Sequence, residues 1–230
     1  MNRPELFIFA GINGAGKSTF TRDMSIDDHL VIINPDVITT ELLGRSQNLP
    51  EGTNVKSGRI ALERRQEYIQ SHKSFGFEST LSSQQDFKTI NNAIENGFNI
   101  TLIYVGLNSV DLAKERVSNR VQHGGHDIPK EAIERRYQKS LDNLMKILPM
   151  VHNAKIYDNS GSEYKLLLEI QNKKIIHTHP NINEWAKNAV EMTKHSMNIK
   201  KVFTDTLKTI TTNKPKSHTE TIKTTTKIKM

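Results

Sequence analysis

Gly11-Ile12-Asn13-Gly14-Ala15-Gly16-Lys17-Ser18-Thr19 follows the apolar run Leu6–Ala10 and precedes Phe20-Thr21-Arg22-Asp23-Met24. Strand, glycine loop, helix is the context in which G-x-x-x-x-G-K-[ST] means phosphate binding. Small loop residues let backbone N–H groups close around phosphate oxygens, and the following helix presents its positive end. Gly11, Asn13, Gly14, Ala15, Gly16, Lys17, Ser18 and Thr19 are therefore expected to bind ATP. In this reading Lys17 reaches the β- and γ-phosphates and the Ser18 hydroxyl is a ligand of Mg²⁺, while Thr19 caps or packs. A chance Lys-Ser after a glycine turn is the bland alternative, and the flanking strand and helix speak against it.

Outward from the loop, strand and helix patterns alternate. Val31–Asn34, Phe75–Glu78, Asn99–Leu107 and Ala154–Asn159 read as further strands. Between them lie helices at about 37–43, 55–72, 82–96, 109–121 and 129–148, the third of these closed by Gly97 as a C-cap signal. This alternation predicts an α/β fold: a mostly parallel five-stranded sheet wrapped by helices, with a helical lid. Residues 164–169 and 174–177 suggest a small hairpin through Asn172-Lys173, and 183–196 a short helix bearing Trp185. Residues 1–199 are thus expected to form one domain, with a core over 4–160 and a C-terminal appendage over 161–199. Residues 200–230, rich in lysine and threonine, are expected to be a disordered tail.

The bulk numbers narrow the function. The 230 residues include no cysteine, which excludes disulfides and thiolate metal sites and suits a reducing compartment. No apolar run approaches the ~20 residues of a membrane span, and the first strand follows Met1 too closely for a signal peptide. A cytoplasmic protein without a membrane partner is expected. The net charge of +7 invites a nucleic-acid partner, but residues 200–230 carry eight lysines against Asp205 and Glu220. The rest of the chain is nearly neutral, so nucleic acid is not expected.

A hydrolytic motor would usually place a carboxylate after an apolar strand, but Asn99–Leu107 ends in Gly106-Leu107-Asn108. The carboxylate stands instead after the second strand, as Asp36. Ligands of α/β sheets bind at the carboxyl ends of strands. Asp36 is therefore expected to act as the base that takes the acceptor hydroxyl's proton, its alternative being the N-cap of a helix beginning at Val37. Glu78 also ends a strand and reads equally as a hydrogen-bond acceptor for sugar hydroxyls or as an ordinary strand-end residue. In the helix pair at 109–148, Arg116 and Arg120 share a face. Arg136 flanks the apolar stripe Ile133, Tyr137, Leu141, Leu144 and Leu148, while Arg135 points away from it. With Gly124-Gly125 as a hinge, the pair reads as a lid carrying arginines to transferring phosphate; solvated surface arginine is the alternative, above all for Arg116. His123, His126, His177 and His179 lack partners at a zinc spacing. His126 is expected in the lid and Trp185 in packing.

With these residues in place, the chain resembles the zeta toxin family of P-loop kinases over about residues 4–160. The matching features are Gly11–Thr19, Asn34-Pro35-Asp36, Phe77-Glu78-Ser79-Thr80-Leu81, Ile103-Tyr104-Val105-Gly106-Leu107, the block from Arg116 to Asn143, and Tyr157-Asp158-Asn159-Ser160. The resemblance implies ATP- and Mg²⁺-dependent phosphorylation of a UDP-N-acetyl amino sugar at a sugar hydroxyl, and for some members a small antitoxin partner. It makes Lys17, Asp36, Arg120 and Arg136 the catalytic set, with Asp36, Glu78 and Thr80 binding substrate. A threonine that contacts substrate after the fourth strand in those toxins has no match at Gly106-Leu107-Asn108. A P-loop kinase of another small molecule or a nucleotide, or a nucleic-acid-associated ATPase, are the alternative readings.

Overall fold

The computed structural model describes residues 3–23, 30–43, 52–125 and 127–212. His126 and residues 213–230 lie outside the described residues. The chain divides into a compact unit Met1–Met197 and a second, Asn198–Met230. The first holds β1 (Glu5–Ala10), α1 (Lys17–Asp23), β2 (Ile32–Ile33), α2 (Pro35–Leu43), α3 (Thr53–Gln70), β3 (Phe75–Ser79) and α4 (Gln84–Glu95). There follow β4 (Asn99–Gly106), α5 (Val110–Gln122), α6 (Lys130–Ile147), β5 (Asn153–Asp158), β6 (Lys165–Gln171) and β7 (Lys174–Thr178).

The strands form one seven-stranded sheet in the order β2-β3-β1-β4-β5-β6-β7. The five expected strands are parallel, and β6 and β7 continue the sheet antiparallel from β5. The hairpin thus extends the sheet from five strands to seven. Asn172 and Lys173, with φ of 49° and 60°, form its two-residue turn, the backbone hand that matches the twist of the strands.

Alternation along β1 divides the core between the two faces of the sheet. Leu6, Ile8 and Ala10 join Phe75, Phe77, Ile100 and Leu102 on one face, packed by Ile69 of α3, Ile90 of α4 and Leu144 of α6. Phe9 points the other way, with Ile103, Val105, Phe20, Val117 and Ile133. Trp185 packs on the first face, and its indole N–H donates to Asp158 at 2.9 Å.

Two boundaries differ from expectation. The first is α2, which starts at Pro35 and not at Val37: proline suits the first helical position, and the Asn34 side chain accepts the Asp36 backbone N–H at 2.8 Å. The second is the last helix, α7, which runs over Glu184–Thr212 instead of ending near Ser196. Residues 200–212, expected to lack structure, are helical. Ile199, Val202, Phe203, Leu207 and Ile210 recur at three- and four-residue intervals beneath the lysine-rich composition.

Candidate active site

The carboxyl ends of the parallel strands open into a cavity of about 1190 Å³. Its wall on the β1 side is the glycine loop. A Cβ on Gly11 would lie 2.1 Å from the Val105 carbonyl oxygen, and one on Gly14 2.6 Å from that of Ala113. At Gly11 and Gly14 the loop therefore has to be bare backbone, which suits a phosphate cradle. It is braced from the β5–β6 side, where the Asn159 amide donates to the Ala15 carbonyl at 2.8 Å and the Tyr164 hydroxyl to that of Gly16 at 2.9 Å.

Lys17 Nζ donates to the Ile12 carbonyl at 3.1 Å, folded back over its own loop. Desolvation pulls the ammonium down to about 8; Glu78 and Asp36 oppose that pull, while Arg120 and Arg136 add to it. The protonated form is the one that binds phosphate, and a bound polyphosphate raises the lysine pKa. ATP binding should therefore take up a proton above pH 8, and affinity should fall as pH rises through 8. Calorimetry at pH 7 and pH 9 is expected to show a roughly tenfold loss at the higher pH. A pH-independent affinity would mean that Lys17 does not meet phosphate.

Ser18 Oγ donates to Glu78 Oε2 at 3.0 Å, and Thr21 Oγ1 to Glu78 Oε1 at 3.4 Å. The sheet order explains this, because β3 lies beside β1 with Phe9 opposite Glu78. The donor set fits Mg²⁺: the Ser18 hydroxyl and the Asp36 and Glu78 carboxylates all line the cavity and are oxygen ligands. Among the described residues no three His, Cys, Asp or Glu side chains form a metal cage. Mg²⁺ needs none, since it keeps waters and takes one or two protein oxygens plus phosphate oxygens.

Asp36 is exposed, in the first turn of α2, and lines the cavity. Because Asn34 supplies the cap, the Asp36 carboxylate is not occupied by that task. On the lid helices, Arg135 is exposed and Arg136 half-buried. Arg136 Nη1 donates to Asn13 Oδ1 at 2.9 Å, joining α6 to the phosphate loop. Burial lowers its pKa, Arg135 lowers it further and Asp36 raises it. Arg120 is exposed and lines the cavity, and Arg116 reaches the Gly161 carbonyl at 3.5 Å. The Gly124-Gly125 pair caps α5: the Gly124 N–H meets the Val121 carbonyl and the Gly125 N–H that of Arg120.

Thr80 lines the cavity and shares a hydrogen bond with Ser82 at 2.8 Å. Beneath it is a network that the sequence reading missed. Arg65 of α3, buried, lies 3.8 Å from the Phe77 ring centroid and pairs with buried Asp86 at 3.4 Å. Asp86 accepts from Ser79 Oγ at 2.7 Å, and Ser79 Oγ accepts the Leu81 N–H at 2.9 Å. Arg65 stands on the face of α3 that also carries Leu62 and Ile69, so its helical position was the available signal.

Glycine loop, parallel sheet and helical lid together define a P-loop kinase architecture. The chain belongs to the zeta toxin family, whose model matches residues 1–171. An uncharacterized protein of Haemophilus influenzae is 35% identical over 129 residues, which are 56% of this chain and 89% of that one. Among solved structures, a chain of the AvrRxo1-ORF1:-ORF2 complex with ATP is similar at a TM-score of 0.61 and 16% identity over 83% of this chain. The match spans 64% of that longer chain. A chain of the PezAT chromosomal toxin–antitoxin system of Streptococcus pneumoniae is similar at a TM-score of 0.60 and 16% identity, covering 86% of this chain and 87% of that one. At these identities the structural likeness is one of fold. Family and site together support an ATP-dependent kinase. No described helix is long and apolar enough to cross a membrane.

Proposed function

We propose that the protein transfers the γ-phosphoryl group of ATP to a sugar hydroxyl of a UDP-N-acetyl amino sugar in the cytoplasm, as the toxin of a pair whose small antitoxin partner holds it inactive. One observation carries the phosphotransfer: a glycine-rich phosphate loop with its lysine borders the same cavity as Asp36, a carboxylate released from capping by Asn34. The sugar nucleotide and the antitoxin rest on the family. Gly11, Asn13, Gly14, Ala15, Gly16 and Thr19 enclose the phosphates, and Lys17 neutralises them. Ser18 would hold Mg²⁺, which supplies charge neutralisation at the phosphate oxygens when bound. Asp36 takes the acceptor proton. Glu78 and Thr80 border the acceptor side. Arg120 and Arg136 meet the charge that builds on the transferring group.

The test is mass spectrometry of UDP-N-acetylglucosamine incubated with ATP, Mg²⁺ and the protein. A gain of one phosphate on the sugar is expected. Transfer only to another small molecule or a nucleotide would displace the acceptor, and ATP hydrolysis stimulated by nucleic acid without transfer would overturn the kinase.

A further inference from the structure

Leu81 has a φ of 57°, in the left-handed region that side chains other than glycine enter only at a cost. The other non-glycine residues with positive φ, among those described, are His72, Asn172 and Lys173. All three are exposed, in the turn that follows α3 and in the turn between β6 and β7. Leu81 is buried in the core, one position after Thr80 on the cavity wall. Its turn is held from both sides. Ser79 Oγ accepts the Leu81 N–H at 2.9 Å, and Asn143 of α6, also buried, donates to the Leu81 carbonyl at 2.8 Å. Ser79 Oγ in turn donates to Asp86, which pairs with Arg65. The Ser79 carbonyl accepts the N–H of Gly11, the first glycine of the phosphate loop, at 3.2 Å.

Stability does not account for this arrangement. A buried ion pair can often be replaced by apolar residues without loss, and the buried Arg65 Nε has no hydrogen-bond partner among the described residues. Strained backbone and costly buried charge coincide beside Glu78 and Thr80, which line the cavity. Strain of this kind persists where the surroundings over-determine a functional geometry. Asn143 does not itself line the cavity. It stands two helical turns after Arg136, on the same face of α6. One helix therefore grips the phosphate loop through Arg136 and Asn13, and the end of β3 through Asn143 and Leu81. We infer that Asn143 and the Ser79–Asp86 pair are positioning residues, which act through the Leu81 turn to set Glu78 and Thr80 at a fixed place relative to the phosphate loop. This rests on the phosphotransferase reading, in which Glu78 and Thr80 border the acceptor.

The experiment compares Asn143→Ala and Ser79→Ala with Tyr104→Phe, all in the full chain. The Tyr104 hydroxyl shares a buried hydrogen bond with Ser140 of α6, and neither residue lines the cavity. Tyr104→Phe therefore removes a buried bond of the same helix but leaves the Leu81 turn alone. The kcat and KM of phosphate transfer from ATP to UDP-N-acetylglucosamine are measured, with ADP affinity by calorimetry and melting temperature alongside. Asn143→Ala and Ser79→Ala are each expected to lower kcat at least tenfold, with ADP affinity within twofold of wild type. Tyr104→Phe is expected to lower the melting temperature and to keep kcat within twofold. Near-normal kcat in a folded Asn143→Ala or in Ser79→Ala overturns the positioning role. So does an equal loss of kcat in Tyr104→Phe, or a parallel loss of ADP affinity. In each of these cases the wild type still transfers phosphate, and the kinase reading stands. If Asn143→Ala does not fold, Ser79→Ala decides alone. A wild type that binds ADP but transfers no phosphate to UDP-N-acetylglucosamine overturns the sugar-nucleotide reading and the positioning role together.

Discussion

Replacing Arg136 by alanine is expected to lower phosphoryl transfer by about two to four decades, and replacing Arg135 to leave it within a few-fold. The two guanidinium groups are neighbours on α6 with the same formal charge, so the difference lies in where the helix points them. Arg136 is half-buried, lines the cavity and donates to Asn13 of the phosphate loop at 2.9 Å. Arg135 is exposed and does not line the cavity. An arginine fixed beside the transferring group stabilises charge that exists only in the transition state, so its loss appears in turnover. A solvated arginine is screened and contributes little. Arg136→Lys tests the planar fork: lysine keeps the charge but not the paired donors, so rescue should be partial. Single-turnover transfer by the three variants, with circular dichroism as the control for folding, decides the matter. Equal losses for Arg135→Ala and Arg136→Ala would mean that α6 supplies only a diffuse positive field.

The arrangement around Arg136 shows what a sequence can reveal. The orientation of two adjacent arginines follows from the 100° step of a helix whose buried stripe is visible in the sequence, so it needs no tertiary information. The same holds for the glycine loop and for the alternation of strands and helices. Asn34 is a harder case. Asn-Pro-Asp contains two capping residues, and only the helix start at Pro35 decides between them; the proline at the first helical position was the usable signal. The extension of α7 was visible as periodicity but masked by composition. Eight lysines in residues 200–230 suggest disorder even though the apolar residues keep helical spacing as far as Ile210.

Other features were not legible, because they join residues far apart in sequence. Arg65 and Asp86 are separated by 21 positions and the Tyr164–Gly16 contact by 148, and neither partner carries a local pattern that names the other. The hairpin was expected, but its addition to the edge of β5 depends on which strand edge remains open after the sheet assembles. Gly106 is similar. It stands where the family resemblance implies a threonine, and a Cβ there would lie 2.2 Å from the Trp185 ring. A distant tryptophan fills the space, which accounts for the lack of a side chain at that strand end.

Asp36→Asn separates a base from a bystander. The substitution keeps the shape of the side chain and removes its charge. Asn34 supplies the N-cap of α2, so little stability depends on the Asp36 side chain beyond its favourable place in the first turn. A loss of about 0.5 kcal/mol is expected. If the carboxylate accepts the acceptor proton, transfer to the sugar should fall by roughly two to four decades. ATP affinity requires care, because Asp36 raises the Lys17 pKa from its place across the cavity. Removing the charge lowers that pKa further and leaves less of Lys17 protonated near pH 8. At pH 7 the lysine remains largely charged in both proteins, and ATP binding there should be nearly equal. The measurement is therefore paired at pH 7: ATP affinity by calorimetry and transfer by mass spectrometry. A slow transfer with intact ATP affinity identifies Asp36 as the base. Near-normal transfer would exclude that role and turn the search to Glu78, a cavity-lining carboxylate that accepts from Ser18.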